Sequence, residues 1–254
     1  MSLDKPYPMI ARGEEFPTDY LLNAIATQNI LSSYLMIKRD LLRIFGFLEP
    51  SRGNLKSYSH ENYNLLLRAC TEFETLAKMI LKHNKYSIDK TDINDYRRLE
   101  GAMKLSDYTL ELSGYEIPIL IPFARFSPSV KSPVTRTPEW YSAYTDVKHD
   151  RIGKFHQASL ENVITSCSAI YVLISASLGF HFDYETSYRE TRFNLDVGGT
   201  NVEGDTISID KITLPFKTLT FPKWEAIERY SFDWQTLKLQ SEPYIFHPLM
   251  EIPW

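Results

Sequence analysis

The densest helical patterns of this sequence lie in two neighbouring stretches, EWYSAYTDVKHDRIG at residues 139–153 and ASLENVITSCSAIYVLISASL at residues 158–178. Pro138 precedes the first stretch, a position that a helix N-terminus tolerates. The second stretch carries no charge from Ile164 onward, although serines dilute its apolar character. Its uncharged part is at the short end of what a bilayer needs, so the sequence predicts a buried central helix of a bundle.

Three further helices are predicted on the N-terminal side of this pair. Apolar side chains recur at helical spacing over residues 19–45, 61–83 and 91–105. Asp19 is a candidate cap of the first, Gly46 a candidate stop, and the pair Thr91-Asp92 a cap signal for the third. The acidic residues of and after the third helix have polar flanks and are expected on a solvated face: Asp92, Asp95, Glu100 and Asp107. We therefore expect a mainly α protein.

The predicted architecture is an up-and-down bundle of about five helices over residues 19–179, preceded by an N-terminal arm at 1–18. A β and proline-rich insertion at about 106–137 interrupts it. Within the insertion, residues 108–126 alternate apolar and polar side chains around Gly114, which predicts a short hairpin whose second half is an edge because of its prolines.

Residues 180–254 form a β and loop extension that we expect to pack on the bundle. Its apolar residues alternate between Ile207 and Phe216, and it contains 12 acidic and 7 basic side chains. Its many aromatic rings could stack bases, but an acidic surface repels nucleic acid. They are therefore expected to cover the bundle or to bind a protein partner.

Composition sets broad limits on the protein. Hydrophobic residues make up 43% and charged residues 24%, which excludes disordered and fibrous classes. The two cysteines, Cys70 and Cys167, are too few for a disulfide framework or a cysteine-rich zinc site, and both are expected to be small buried side chains. Residues 1–15 lack the apolar core of a secretory signal. We expect a cytoplasmic protein with no membrane span, no metal and no cofactor.

The chemistry suggested by the sequence lies where the two dense helical stretches meet. Residues 125–156 contain six Lys or Arg against three Asp or Glu, and two histidines besides. A basic stretch with aromatic neighbours can hold an anionic backbone such as RNA. The candidate RNA-binding residues are Tyr144, Lys148, His149 and Lys154.

Arg151 and His156 are the residue types that cleavage of RNA without a metal requires. An imidazole can take the 2′-hydroxyl proton or protonate the leaving oxygen, and a fixed guanidinium can neutralise charge on the phosphate. Trp140, Tyr144, Val147, Arg151 and Phe155 share a helical stripe, which predicts a partly desolvated Arg151. A break at Gly153 would let His156 turn towards Arg151, whereas an unbroken helix would instead pair His149 with His156.

A helical bundle followed by an Arg-x-x-x-x-His motif resembles the HEPN superfamily. Its active members are metal-independent ribonucleases of toxin–antitoxin, abortive-infection and CRISPR-linked systems. The resemblance covers about residues 19–179 in layout and implies that Arg151 and His156 are the catalytic pair, with two motifs meeting in a homodimer. The segment Trp-x-x-x-Tyr-x-x-Val-Lys-His-Asp-Arg also resembles uncharacterised bacterial helical proteins related to that superfamily, for which no activity is implied.

Three classes of function remain open. The first is a HEPN-like endoribonuclease that cuts single-stranded RNA or tRNA loops. The second is a non-catalytic module that binds a protein partner or dimerises, in which residues 148–151 form an ion-pair network at a helix end. The third is a small-ligand binder that uses an aromatic pocket between bundle and extension. The ribonuclease requires Arg151 and His156 to be exposed together, whereas a scaffold allows either to be buried.

Overall fold

The structure is a computed structural model that describes residues 7, 9–12, 24–86, 91–131, 136–179 and 216–229, with side chains from residue 29 onward in the first helix. The described part is mainly helical, with one small two-stranded sheet. This confirms the predicted mainly α bundle with a small β component. Asp19 and most of the C-terminal extension, including the alternation that begins at Ile207, lie outside the described residues.

Helices α1 (Ala24–Phe45) and α2 (His60–His83) follow the predicted bounds closely where they are described. Gly46 ends α1, and its N–H donates to the carbonyl of Leu42 at 3.2 Å. Ser59 caps α2, because its side chain accepts a hydrogen bond from the N–H of Asn62 at 3.1 Å. Both helices bury one apolar face in the core, as amphipathic periodicity predicts.

The predicted third helix is instead two short ones, α3 (Ile93–Tyr96) and α4 (Leu99–Met103). Asp92 caps α3 in a capping box with Asp95, as the cap signal indicated. The turn then tightens, because the N–H groups of Arg98 and Glu100 donate to carbonyls three residues back. Glu100 is also buried rather than solvated, and it accepts hydrogen bonds from the backbone and hydroxyl of Ser106.

The predicted fourth helix is broken before it reaches Gly153. Helix α5 (Glu139–His149) ends at Asp150, whose backbone leaves the helical region at φ −137° and ψ 73°. A single helical turn, α6 (Arg151–Lys154), and a 3₁₀ turn (Phe155–Gln157) follow. The last helix, α7 (Leu160–Leu178), is capped by Ser159. The break therefore falls three residues earlier than the sequence predicted.

Helix α7 is the centre of the bundle and packs against α1, α2 and α5. Among the described helices, it is the one that is long and apolar enough to cross a membrane. However, 83% of its apolar stretch is buried within the protein. Its buried serines satisfy their hydroxyls on their own helix, for example Ser175 on the carbonyl of Tyr171 at 2.9 Å. These contacts explain how a serine-rich helix can occupy a core position.

The sheet is not the predicted hairpin. Strand β1 (Thr109–Leu112) pairs antiparallel with β2 (Phe216–Thr220) from the C-terminal extension. The hairpin partner is reduced to one bridge between Leu110 and Leu120, because Pro118 and Pro122 on either side have no N–H to extend a ladder.

Both ends of the chain reach the bundle where they are described. The N–H of Ala11 donates to the carbonyl of Ala176 at the end of α7, at 2.9 Å. Trp224 of the extension is buried, with the Arg12 guanidinium over its ring at 4.8 Å and the Lys104 ammonium at 4.6 Å. For Trp224 and the buried Phe216, the aromatic side chains of the extension do cover the bundle.

Candidate functional site

Five nitrogen-bearing side chains lie together on the surface between α5 and α7. Lys148 and His149 end α5, Arg151 and Lys154 belong to α6, and His156 stands in the 3₁₀ turn. All five are exposed. We call these residues the cationic segment. The exposure that a ribonuclease requires of Arg151 and His156 is therefore met.

No residue of the cationic segment forms an ion pair with a carboxylate of the described residues. Lys148 bonds to Tyr144, and His156 contacts the neighbouring Gln157 at 3.4 Å. The ion-pair network that we considered for the end of α5 is therefore wrong. Further upstream, Arg125 is neutralised by Glu139. Arg125 is thus not available to a ligand, whereas the cations at residues 148–156 are not neutralised by a described carboxylate.

Arg151 is exposed and does not border the buried face of α5, which corrects the prediction from the helical stripe. Trp140, Tyr144 and Val147 are buried on that stripe as expected. The buried stripe stops at Val147, because α5 ends two residues later. Arg151 belongs to the next helical turn and therefore does not lie on the same face as Trp140 and Tyr144. The same break removes the continuous helix that a pairing of His149 with His156 would need.

The break is held by Asp150 and Gly153. The Asp150 carboxylate accepts a hydrogen bond from the N–H of Gly153 at 2.9 Å and so caps α6. A Cβ at position 153 would collide with that carboxylate, which explains why a glycine fits this position. Asp150 and Gly153 together set the direction in which Arg151, Lys154 and His156 leave α5.

Tyr144, one of the predicted RNA-binding residues, does not present its ring to solvent, because that ring is buried against the bundle. Its hydroxyl instead accepts a hydrogen bond from Lys148 Nζ at 3.2 Å, and the ammonium lies 5.1 Å from the ring centroid. The hydrogen bond to Tyr144 raises the pKa of Lys148. Tyr144 therefore orients Lys148 and favours its charged form.

A carboxylate lies on the α2 side of this region. Tyr141 donates a hydrogen bond to Glu74 at 2.7 Å, and burial together with this bond raises the pKa of Tyr141. Lys78, one turn along α2, is 3.7 Å from Glu74. The Glu74 carboxylate thus contacts both the Tyr141 hydroxyl and the Lys78 ammonium. Through Tyr141 it joins α2 to α5.

An aromatic cluster beside His156 was not predicted from the sequence. Phe155 is half-buried, and the rings of Tyr58, His60 and Tyr63 surround it at centroid distances of 5.6, 4.8 and 6.0 Å. We call these four residues the aromatic platform. Tyr58 and His60 are exposed, so the platform faces solvent directly next to the cationic segment.

Backbone pairing brings the two halves of the platform together. Tyr58 and Ser159 form an antiparallel bridge, and the N–H of Leu160 donates to the carbonyl of Ser57 at 2.8 Å. Helices α2 and α7 consequently begin side by side. Both helices begin with the same cap, because the N–H of Asn62 donates to the Ser59 hydroxyl and the N–H of Asn162 donates to the Ser159 hydroxyl.

Metal and thiol chemistry find little support among the side chains that the structure describes. They contain no group of three or more His, Cys, Asp or Glu side chains that could hold a metal ion. Cys70 and Cys167 are free and buried, as predicted. Burial raises the pKa of Cys70, and it raises that of Cys167 to about 12. Neither thiol is therefore an accessible nucleophile.

Comparison with known proteins adds no relative: no family model, curated protein or solved structure matches this chain. The function of this chain is therefore inferred from the chemistry of its own candidate site.

Proposed function

We propose that this protein is a metal-independent endoribonuclease of the HEPN type, with Arg151 and His156 as its catalytic pair. One observation carries the proposal. A guanidinium and an imidazole, five residues apart on one short surface segment, are both exposed and have no carboxylate partner among the described residues. Charges that are not already neutralised by the protein remain available for an anionic ligand.

The proposed reaction is attack of an RNA 2′-oxygen on the adjacent phosphorus. The P–O bond to the 5′-oxygen of the next nucleotide breaks, which leaves a 2′,3′-cyclic phosphate and a free 5′-hydroxyl. The 2′-hydroxyl loses a proton and the leaving 5′-oxygen gains one: His156 either takes the first proton while water protonates the leaving oxygen, or protonates the leaving oxygen while water takes the first proton. Arg151 neutralises the charge that grows on the non-bridging phosphate oxygens.

The neighbouring residues hold the RNA backbone in this proposal. Lys148, His149 and Lys154 supply positive charge on either side of Arg151, and Tyr144 acts through Lys148 as a positioning residue. A homodimer in which two motifs meet follows from the HEPN resemblance and is part of the proposal.

The test is cleavage of end-labelled tRNA and single-stranded RNA in EDTA. Wild type is compared with Arg151→Ala and His156→Ala, and with the exposed controls Arg39→Ala on α1 and His83→Ala at the far end of α2. We expect products with 2′,3′-cyclic phosphate ends, lost in the first two variants and kept in the controls. Absence of cleavage by wild type, or cleavage that survives both substitutions, would contradict the proposal.

A second candidate is a non-catalytic interaction module, and one side chain favours it. Ile152 lies in the middle of the cationic segment and is 93% exposed, so a partner surface could bury this large apolar side chain. Sedimentation of wild type and Ile152→Asp would test this. Loss of self-association in the variant, together with absence of ribonuclease activity in wild type, would favour the module. A protein partner for the C-terminal extension stays a prediction, since most of that extension lies outside the described residues.

A further inference from the structure

The aromatic platform is the strongest feature that the proposed catalytic pair does not use. Tyr58 is 52% exposed, and its ring meets Phe155 nearly edge-on, at an interplanar angle of 86°. Phe155 directly precedes His156 in the chain. Tyr58 and His60 therefore leave ring surface open to solvent beside the candidate catalytic imidazole, where a planar group could stack.

The charge around the platform is suited to an anionic chain. Glu61, which follows His60, and Glu161, two residues after Ser159, are both paired with a cation, and Asp150 accepts the N–H of Gly153. Glu61 accepts from Arg43 at 2.6 Å, and Glu161 accepts from Lys56 at 2.5 Å. On the other side, Arg151, Lys154 and His156 are exposed without a carboxylate partner among the described residues.

We infer that Tyr58, His60, Tyr63 and Phe155 form a base-stacking subsite for single-stranded RNA, placed beside the phosphate that Arg151 and His156 would act on. This inference rests on the proposed function for the scissile phosphate, but the stacking itself requires only RNA binding. Aromatic rings next to a positive groove are the usual means of binding unpaired nucleotides, since every base has a face that stacks. A duplex hides those faces, so the subsite selects unpaired RNA.

The rigidity of the platform supports this role. Tyr58 lies on the bridge to Ser159, and the N–H of Glu161 donates to the carbonyl of Leu55 at 2.9 Å. These backbone contacts hold the main chain of Tyr58 in place, and the edge contact with Phe155 restrains its ring. A preorganised ring costs less conformational entropy on binding than a mobile one.

The test measures RNA binding with the non-cleaving His156→Ala protein, so that chemistry does not enter. Probes are a fluorescein-labelled single-stranded octamer, an abasic octamer with the same number of phosphates, and a short duplex. Tyr58→Ala is expected to weaken binding of the base-bearing octamer by about 5- to 100-fold. Tyr58→Phe keeps the ring, so the double variant Tyr58→Phe/His156→Ala is expected to bind the base-bearing octamer with the same Kd as the His156→Ala protein.

Controls separate stacking from general loss of surface. Phe47→Ala removes an 89% exposed ring that lies in the turn after α1, outside the platform, and should not change the Kd. Abasic RNA and the duplex should bind weakly and should not respond to Tyr58→Ala. Circular dichroism melts of each variant check the fold, which should survive because the Tyr58 ring is half in solvent.

The outcomes distinguish the two proposals. If wild type does not cleave but Tyr58→Ala selectively weakens binding of the base-bearing octamer, the stacking subsite stands and the ribonuclease does not. If wild type cleaves, but the Kd is the same for the base-bearing and abasic octamers and is unchanged by Tyr58→Ala, the subsite is overturned and the ribonuclease stands. Absence of octamer binding overturns the subsite.

Discussion

The carboxylate of Asp150 accepts a hydrogen bond from the N–H of Gly153 at 2.9 Å, and this contact turns the chain out of α5. A continuous helix over residues 150–156 would have carried Arg151 along the stripe of Trp140, Tyr144 and Val147. The contact instead places Arg151 and Lys154 on an exposed single turn. The position of the candidate site therefore depends on one helix cap.

We expect Asp150→Ala to lower the free energy of unfolding by about 0.5–2 kcal/mol, because the first turn of α6 loses its cap. Asp150→Asn keeps an acceptor and should cost much less. Urea unfolding of wild type, Asp150→Ala and Asp150→Asn measures the loss of stability in each variant. Equal stability of wild type and Asp150→Ala would show that the cap does not hold the break.

Gly153→Ala should destabilise wild type, because the new Cβ collides with the Asp150 carboxylate. In an Asp150→Ala background the collision is absent, and the general preference of helices for alanine over glycine should make Gly153→Ala neutral or stabilising by up to about 1 kcal/mol. A double-mutant cycle in urea measures the coupling between the two positions. Additive effects would contradict the close approach.

Glu100 makes stability depend on pH. Burial raises its pKa above the ordinary value, against the hydrogen bonds from Ser106, which lower it. The folded protein thus binds this proton more tightly than the unfolded chain does, so the stabilisation from Glu100 is present at low pH and is lost as pH rises through the raised value. Glu100→Gln does not ionise.

The Glu100→Gln variant should therefore gain stability relative to wild type as the pH is raised from about 4 to 7. Unfolding free energies across that range, with Glu116→Gln as an exposed control, provide the measurement. A difference between Glu100→Gln and wild type that is constant with pH would refute the assignment.

Trp224 attaches the described part of the C-terminal extension to the rest of the protein through cation–π contacts with Arg12 and Lys104. Trp224→Leu keeps an apolar side chain but loses the ring beneath Arg12 and Lys104, and should destabilise by about 1–3 kcal/mol. Trp224→Phe keeps a smaller ring and should lose less. Thermal melts rank the stability of wild type, Trp224→Phe and Trp224→Leu. A higher melting temperature for Trp224→Leu than for Trp224→Phe would contradict the cation–π contribution.

Lys148 should contribute one phosphate contact if RNA binds the cationic segment. Lys148→Ala is expected to reduce the slope of log K against log salt for single-stranded RNA by about 0.7. Lys82→Ala, an exposed lysine at the opposite end of α2, is the matched control and should leave the slope unchanged. An unchanged slope for Lys148→Ala would place the RNA elsewhere.

Much of the helical layout could be predicted because its signals are local. Apolar periodicity located α1, α2 and α7 to within a few residues of their described ends, and the Thr91-Asp92 signal located the start of α3. The partly desolvated Arg151 that the helical stripe predicted is wrong, because Arg151 is exposed as His156 is. The break at Asp150 had a local signal, an aspartate three residues before a glycine, but the longer apolar stripe from Trp140 outweighed it.

The sequence by itself determined where the helices form and which segment concentrates positive charge, because helical periodicity, capping and charge are carried by residues close together in the chain. Only the tertiary structure decided the partner of β1, the burial of Glu100 and Tyr144, and the aromatic platform. Tyr58 and Phe155 are 97 positions apart, and they meet because α2 and α7 begin side by side. Contacts between distant segments depend on the packing of the whole bundle, which no local pattern records.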